Sequence, residues 1–236
     1  MIKIENTVTP SPEQWHITIM GARNAKNSWD RSDSGNGCVN GRCGKCGFNS
    51  NWCGCTPRLV IGPDDMTLLM NLRNAGTPDH RKYLRMLTIH VEITAPLYWW
   101  KEFDTYKVGT VANSCSTMHK IQAKEFVLED FSTEHLFDED GFGVQVYSLD
   151  AYRQILESLN TAREAFLATK DKRYWWQMIQ LLPSSYNQKR TVMLNYEVAA
   201  NIYKSRYNHK QDEWRELCKW LEGLPYSELI TGKEAE

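Results

Sequence analysis

Apolar and polar positions alternate most cleanly between Leu87 and Thr94. Leu87, Ile89, Val91 and Ile93 take one side, and Thr88, His90, Glu92 and Thr94 the other. That period of two predicts a strand with one face buried and the other polar or lining a site. The segment Trp15-His16-Ile17-Thr18-Ile19-Met20 also alternates and predicts an earlier strand. Asp64 is placed to cap a helix carrying Met66, Leu69, Met70 and Arg73, with Gly76 as its stop. Pro96 opens a helix through Leu97, Trp99, Trp100 and Phe103. Helical spacing returns from Ser148 or Asp150, with Ile155, Leu156, Leu159, Ala162 and Phe166 on one side. A second helix covers Arg173 to Leu181 and stops before Pro183. A long one runs from Lys189 to Arg206, and another from Lys210 to Leu221, closed by Gly223 and Pro225. The stretches Val108 to Met118 and Glu134 to Gly143 read as loops. A few early strands and a helical C-terminal half predict an α+β fold without internal repeats.

Composition adds bounds. With 236 residues, 42% of them hydrophobic, the chain suits one large soluble domain able to bury a core without staples. A net charge of -1 excludes a protein that coats nucleic acid through a basic surface. No apolar run is long enough to cross a bilayer, and Met1-Ile2-Lys3-Ile4-Glu5-Asn6 is no signal peptide, so a cytoplasmic location is expected.

Cysteine usage is uneven. Cys38, Cys43, Cys46, Cys53 and Cys55 lie together, while Cys115 and Cys218 stand apart. An odd total without an export signal argues against a disulfide scaffold. From Asn27 to Pro57 the chain is rich in Gly, Asn, Ser and Cys and cannot build an apolar core of its own. It is either a reduced loop or one organised by metal. Cys43-Gly44-Lys45-Cys46 forms a knuckle that can place two thiolates on one zinc ion, with two more ligands drawn from Cys38, Cys53 and Cys55. The expected organisation is one domain over residues 1–236, with this Cys-rich insertion at about 34–57.

Two stretches carry candidate chemistry. Ala95 to Ser116 runs from a strand into an aromatic helix, then into hydroxyls and amides, donors suited to phosphates and sugars. The second is Leu182-Pro183-Ser184-Ser185-Tyr186, followed by Asn195, Asn201 and Arg206. On one continuous helix Asn195 and Arg206, about three turns apart, share a face. Facing a cleft, they could hydrogen-bond a flat heterocycle; on the surface they are a solvated pair.

Together these stretches resemble the flavin-dependent thymidylate synthases. In that family an A-P-aromatic helix leads into an R-H-R-x-x-S loop, and an L-P-x-x-x-Y helix carries two Asn and one Arg. From Leu182-Pro183, counted without gaps, the family's two Asn positions fall on Asn195 and Asn201, and its Arg on Arg206. The resemblance covers roughly Leu84 to Leu221, with a fainter match in the first strand and at Arg23. It implies a layered α/β arrangement with a mostly antiparallel central sheet flanked by helices. It also implies a homotetramer with active sites between subunits.

The activity implied is transfer of a one-carbon unit from methylenetetrahydrofolate to C5 of dUMP, with NADPH reducing bound FAD. Asn195 and Asn201 are then flavin residues, and Arg206 holds the uracil ring. At the R-H-R positions this chain has Thr105, Tyr106 and Lys107, and only Lys107 keeps a charge. Thr110 stands at the family Ser. The family's later Glu, Ser and Arg fall on Asn113, Cys115 and Thr117, and a one-residue shift would place Ser116 at the Ser position. Asn113, Ser114, Cys115 and Ser116 are therefore the implied substrate segment. Thr77-Pro78 resembles a family T-P element, which makes His80 a candidate flavin residue. The altered loop admits a different pyrimidine nucleotide, a hydroxymethyl product, or a non-catalytic flavin- or nucleotide-binding homologue with a zinc-dependent partner loop.

Overall fold

The computed structural model describes residues 2–37 and 58–233. In chain order the strands are β1 (Lys3–Val8), β2 (Gly35–Gly37), β3 (Arg58–Val60), β4 (Thr88–Pro96), β5 (Thr110–Ser114), β6 (Asp138–Gly141), β7 (Val144–Tyr147) and β8 (Asn187–Asn195). The α-helices are α1 (Pro12–Arg23), α2 (Pro63–Asn74), α3 (Leu97–Phe103), α4 (Thr117–Lys120), α5 (Ser148–Thr169), α6 (Lys172–Leu181), α7 (Tyr196–Arg206), α8 (Asp212–Glu222) and α9 (Glu228–Thr231). A four-stranded sheet has the order β1-β4-β8-β5, and β2-β3 and β6-β7 each form a two-stranded antiparallel sheet. Sheet and helices make the α+β class expected from the pattern. Among the described residues no helix is long and apolar enough to cross a membrane.

The chain divides into two compact units. One comprises Met1–Glu5, Glu92–Lys107 and Ala112–Val192. Its core joins Ile121, Phe126, Phe131, Tyr152, Leu159, Ala162 and Met178. Trp99, Trp100 and Phe103 of α3, in the same unit, are buried and pack on one another as an aromatic group. The other comprises Asn6–Val91, Val108–Val111 and Met193–Glu236. There Trp15 meets the edges of Tyr196 and Tyr226, at centroid distances of 5.3 and 4.9 Å.

β4 keeps the alternation read from its sequence: Ile89, Val91 and Ile93 are buried. α3, α5, α6 and α8 also lie where helical spacing puts them. Five expectations are corrected. Residues 15–20 are helical, within α1. Ser11 and Gln14 form a capping box, Pro12 opens the first turn, and Trp15, Thr18, Ile19 and Ala22 make the buried stripe. Ile17, which a strand would bury with Trp15 and Ile19, is exposed.

The long helix from Lys189 is instead β8 followed by α7. Gln188, Val192 and Leu194 point inward at a period of two, and β8 lies between β4 and β5. Val108 to Met118 contains β5 and the start of α4. β5 is almost wholly exposed, so backbone pairing defines it and apolar patterning does not. Glu134 to Gly143 contains β6 and the turn of a hairpin, with Gly141 paired to Val144. Phe142 and Gly143 both have positive φ, the two-residue turn that suits strand twist.

Asp64 does not cap α2. Gly62 is the N-cap residue, and the Asp33 carboxylate accepts the N–H groups of Asp64 and Asp65 at 2.9 and 3.0 Å. Asp65, fully buried, pairs with Arg23 and accepts from Ser32 and Ser34. Gly37 of β2 pairs with Arg58 of β3.

Candidate functional site

The two informative stretches meet in the first unit. Pro96 ends β4 in an extended conformation and leaves the first N–H groups of α3 without helical partners. Leu97 N–H donates to Tyr186 O at 3.0 Å, and Tyr98 N–H to Ser184 O at 2.9 Å. The Leu182-to-Tyr186 segment therefore caps the aromatic helix. Tyr186 also packs edge-on against Phe131, and Ser185 Oγ lies 2.7 Å from Tyr152 Oη.

Beyond α3 the chain turns tightly. Thr105 N–H and its hydroxyl both donate to Glu102 O, and Tyr106 N–H donates to Phe103 O. Thr105 and Lys107 are exposed and Tyr106 half-buried. Asn113, Ser114, Cys115 and Ser116 are exposed at the end of β5. Cys115 N–H donates to Lys189 O on β8 at 3.0 Å, and Ser116 Oγ caps α4 by accepting from His119 N–H.

In the second unit α7 carries the Asn and Arg positions. Asn195 is the N-cap of α7, so it does not share a helix face with Arg206 as the single-helix reading required. Its Oδ1 accepts Val198 N–H at 3.0 Å, and its Nδ2 lies 3.5 Å from Gly109 O. Gly109 has φ +88°, and a Cβ there would fall 2.8 Å from Asn195 Nδ2. Asn201 is exposed midway along α7. Arg206 ends the helix, where a cation offsets the partial negative charge of the free carbonyls. Its guanidinium lies 4.6 Å from the Trp214 ring centroid, with Nη1 3.0 Å from His209 Nε2.

His80 is exposed, in the 3-10 segment Pro78–Met86. That segment is tied to the start of α7 by Tyr196 N–H donating to Leu87 O and by the Arg85–Glu197 ion pair. Arg81, next to His80, has a buried Nε without a hydrogen-bond partner. Sequence reasoning missed Arg81, Gln188 and Arg190. Arg190 Nη1 donates to Asp104 Oδ1 at 2.8 Å, beside the Thr105–Lys107 turn. The inward period of β8 is the signal that could have found Gln188 and Arg190. Cys38, Cys43, Cys46, Cys53 and Cys55 lie outside the described residues.

Comparison with known proteins locates the fold. No protein-family model matches the chain, and no curated protein matches its sequence. Solved structures do. Thymidylate synthase X (ThyX) from Helicobacter pylori, with FAD and dUMP, is 16% identical at a TM-score of 0.61, covering 98% of this chain and 95% of its own. The UMP/dUMP methylase PolB from Streptomyces cacaoi, bound with 5-Br UMP, is 12% identical at a TM-score of 0.56, covering 94% and 88%. The fold of this chain is that of the flavin-dependent thymidylate synthases.

Proposed function

We propose that this protein transfers a one-carbon unit from methylenetetrahydrofolate to C5 of a uracil nucleotide, with FAD as cofactor and NADPH as reductant. The simplest substrate is dUMP. UMP is the near alternative, because one structure of this fold is a UMP/dUMP methylase. One observation carries the reading. Asn195, Asn201 and Arg206 stand at the start, middle and end of α7, directly after β8, in a fold shared over 98% of the chain.

The residues present suit a flavin dinucleotide in kind. Arg81 Nε is a buried donor lacking an acceptor, which a phosphate oxygen would satisfy. Lys107 and Thr105 add an exposed cation and a hydroxyl. The Asn201 amide offers donor and acceptor to a ring edge. His80 and Tyr106 complete the flavin set. When bound, FAD supplies the redox chemistry and hydride handling.

The chain's own residues bind and polarise the nucleotide. Uracil C5 is a poor nucleophile. Arg206, set against a ring carbonyl, stabilises negative charge on that oxygen and so favours the electron-rich, N3-deprotonated ring, from which C5 is the better nucleophile. Trp214 and His209 restrict its rotamers, so little ordering is left for the moment of reaction. Asn113, Ser114, Cys115 and Ser116 form the nucleotide-binding edge, and no protein nucleophile is invoked. The assembly proposed is a homotetramer with sites between subunits.

A second reading has its own support: Thr105 and Tyr106 stand where the resembling family has cations. It makes the protein a flavin- or nucleotide-binding homologue without turnover. Flavin absorbance of the purified protein tests both readings against a protein of this fold that binds neither. A yellow preparation, or one that takes up added FAD stoichiometrically, is the expected result. Protein that stays colourless in excess FAD would end the flavin proposal.

A further inference from the structure

We infer that Arg190 is a positioning residue, which fixes the Thr105–Lys107 turn and the Asn113–Ser116 segment in one arrangement. This rests on the functional reading, which gives the first segment to the flavin and the second to the nucleotide.

Arg190 projects from β8, with its side chain only 15% exposed. Its guanidinium lies 4.2 Å from the ring centroid of the buried Trp100. Nη1 donates to Asp104 Oδ1 at 2.8 Å, at the residue where α3 ends and the turn begins. Nε donates to Gln188 Oε1 at 2.9 Å. Gln188 Nε2 in turn donates to Cys115 O at 2.9 Å. Trp100 Nε1 donates to Gln188 O, and Cys115 N–H to Lys189 O.

The relay thus runs Asp104, Arg190, Gln188, Cys115. Its polarity is fixed throughout. Arginine can only donate, so the Gln188 amide must turn its oxygen to Arg190 and its nitrogen to the Cys115 carbonyl. The turn and the β5 end are distant in sequence from β8, and both hang on one guanidinium. A stacked planar fork makes two bonds in fixed directions. A lysine ammonium would keep the charge and lose the directions.

The two ends of the relay are separable, and that makes the inference testable. Full-length Arg190→Gln, Asp104→Asn, Gln188→Leu and Arg190→Lys proteins would be compared with wild type by amide hydrogen exchange and by titration with FAD and with dUMP. Arg190→Gln should speed exchange in both segments and weaken both ligands about tenfold or more, the worth of one charge-assisted hydrogen bond. Asp104→Asn should speed exchange at residues 105–107 and weaken FAD only. Gln188→Leu should do so at 113–116 and weaken dUMP only. Arg190→Lys should not rescue. It also carries the comparison if Arg190→Gln fails to fold. A purely structural role would lower the thermal midpoint and weaken both ligands together in all four variants, and that pattern overturns the proposal. Wild-type exchange and affinities in Arg190→Gln overturn it too and leave the functional reading intact. Wild-type protein that binds neither FAD nor dUMP brings down that reading, and this proposal with it.

Discussion

Asn195 closes two structures at once: its side-chain oxygen caps α7, and its amide nitrogen lies 3.5 Å from Gly109 O. The two functions separate by substitution. Asn195→Ala removes the cap and should cost about 1 kcal/mol of stability. Asn195→Ser keeps a capping oxygen, so stability should stay near wild type, while the contact to Gly109 and most bound flavin are lost. Gly109→Ala places a Cβ 2.8 Å from Asn195 Nδ2 on a backbone with φ +88°. It should cost at least about 1–2 kcal/mol through the left-handed conformation alone. Thermal midpoints and flavin absorbance read all three. Normal flavin content in Asn195→Ser would contradict the assignment.

Arg206 gives the sharpest catalytic expectation. Its side chain lies over Trp214 at the surface end of α7, so Arg206→Ala should fold. Turnover should fall by about two to three orders of magnitude, the range for deleting one preorganised donor. Flavin content should stay near wild type, because the residue is assigned to the uracil ring. Arg206→Lys should recover little. Turnover and flavin occupancy measured on one preparation decide the matter, and full activity in Arg206→Ala rejects the role.

The buried Arg23–Asp65 pair sets an acid limit on stability. Burial alone would raise the Asp65 carboxyl, but the Ser34 and Ser32 hydroxyls and the Arg23 guanidinium outweigh it and hold it below the ordinary carboxylate range. A carboxylate lowered in the folded state contributes fully above its unfolded value, about 4. That contribution fades as pH falls through the folded value. Asp65→Asn should therefore destabilise strongly at neutral pH, by about 3–5 kcal/mol, since Arg23 is left buried without its partner charge. The gap to wild type should close in acid. Thermal melts at several pH values test this, and a gap that widens as pH falls would refute it.

For Cys38, Cys43, Cys46, Cys53 and Cys55 we propose a single zinc ion. Their spacing supplies a C-x2-C knuckle and further thiolates in a segment poor in apolar residues. Elemental analysis of protein purified without chelator should find about one zinc per chain, and chelation should lower the thermal midpoint. Metal-free protein with an unchanged melt is the contrary result.

What the sequence revealed depended on whether burial left a periodic trace. β4 and α5 bury one face against a core, and their spacing was readable. α1 was misread because Trp15, Ile17 and Ile19 satisfy a period of two as well as a helix does. Only the Ser11-Gln14 box and the exposed Ile17 separate the two. β5 and the β6-β7 hairpin bury almost no side chain, so only backbone pairing marks them. β8 carries Lys189, Arg190 and Thr191 among its apolar residues, which dilutes the alternation. At the site, the Asn195, Asn201 and Arg206 spacing was legible as a motif. Arg190 was not, because Asp104 is 86 residues away and its contacts exist only after folding.

The most direct test is to incubate the purified protein with FAD, NADPH, methylenetetrahydrofolate and a panel of uracil nucleotides, and to analyse the products by mass spectrometry. The account predicts a nucleotide heavier by one methyl group at C5, dTMP from dUMP or its ribose counterpart from UMP, and no such product without NADPH. A hydroxymethyl product would keep the site and change the reduction step. Flavin-loaded protein that leaves every nucleotide in the panel unchanged would contradict the catalytic claim.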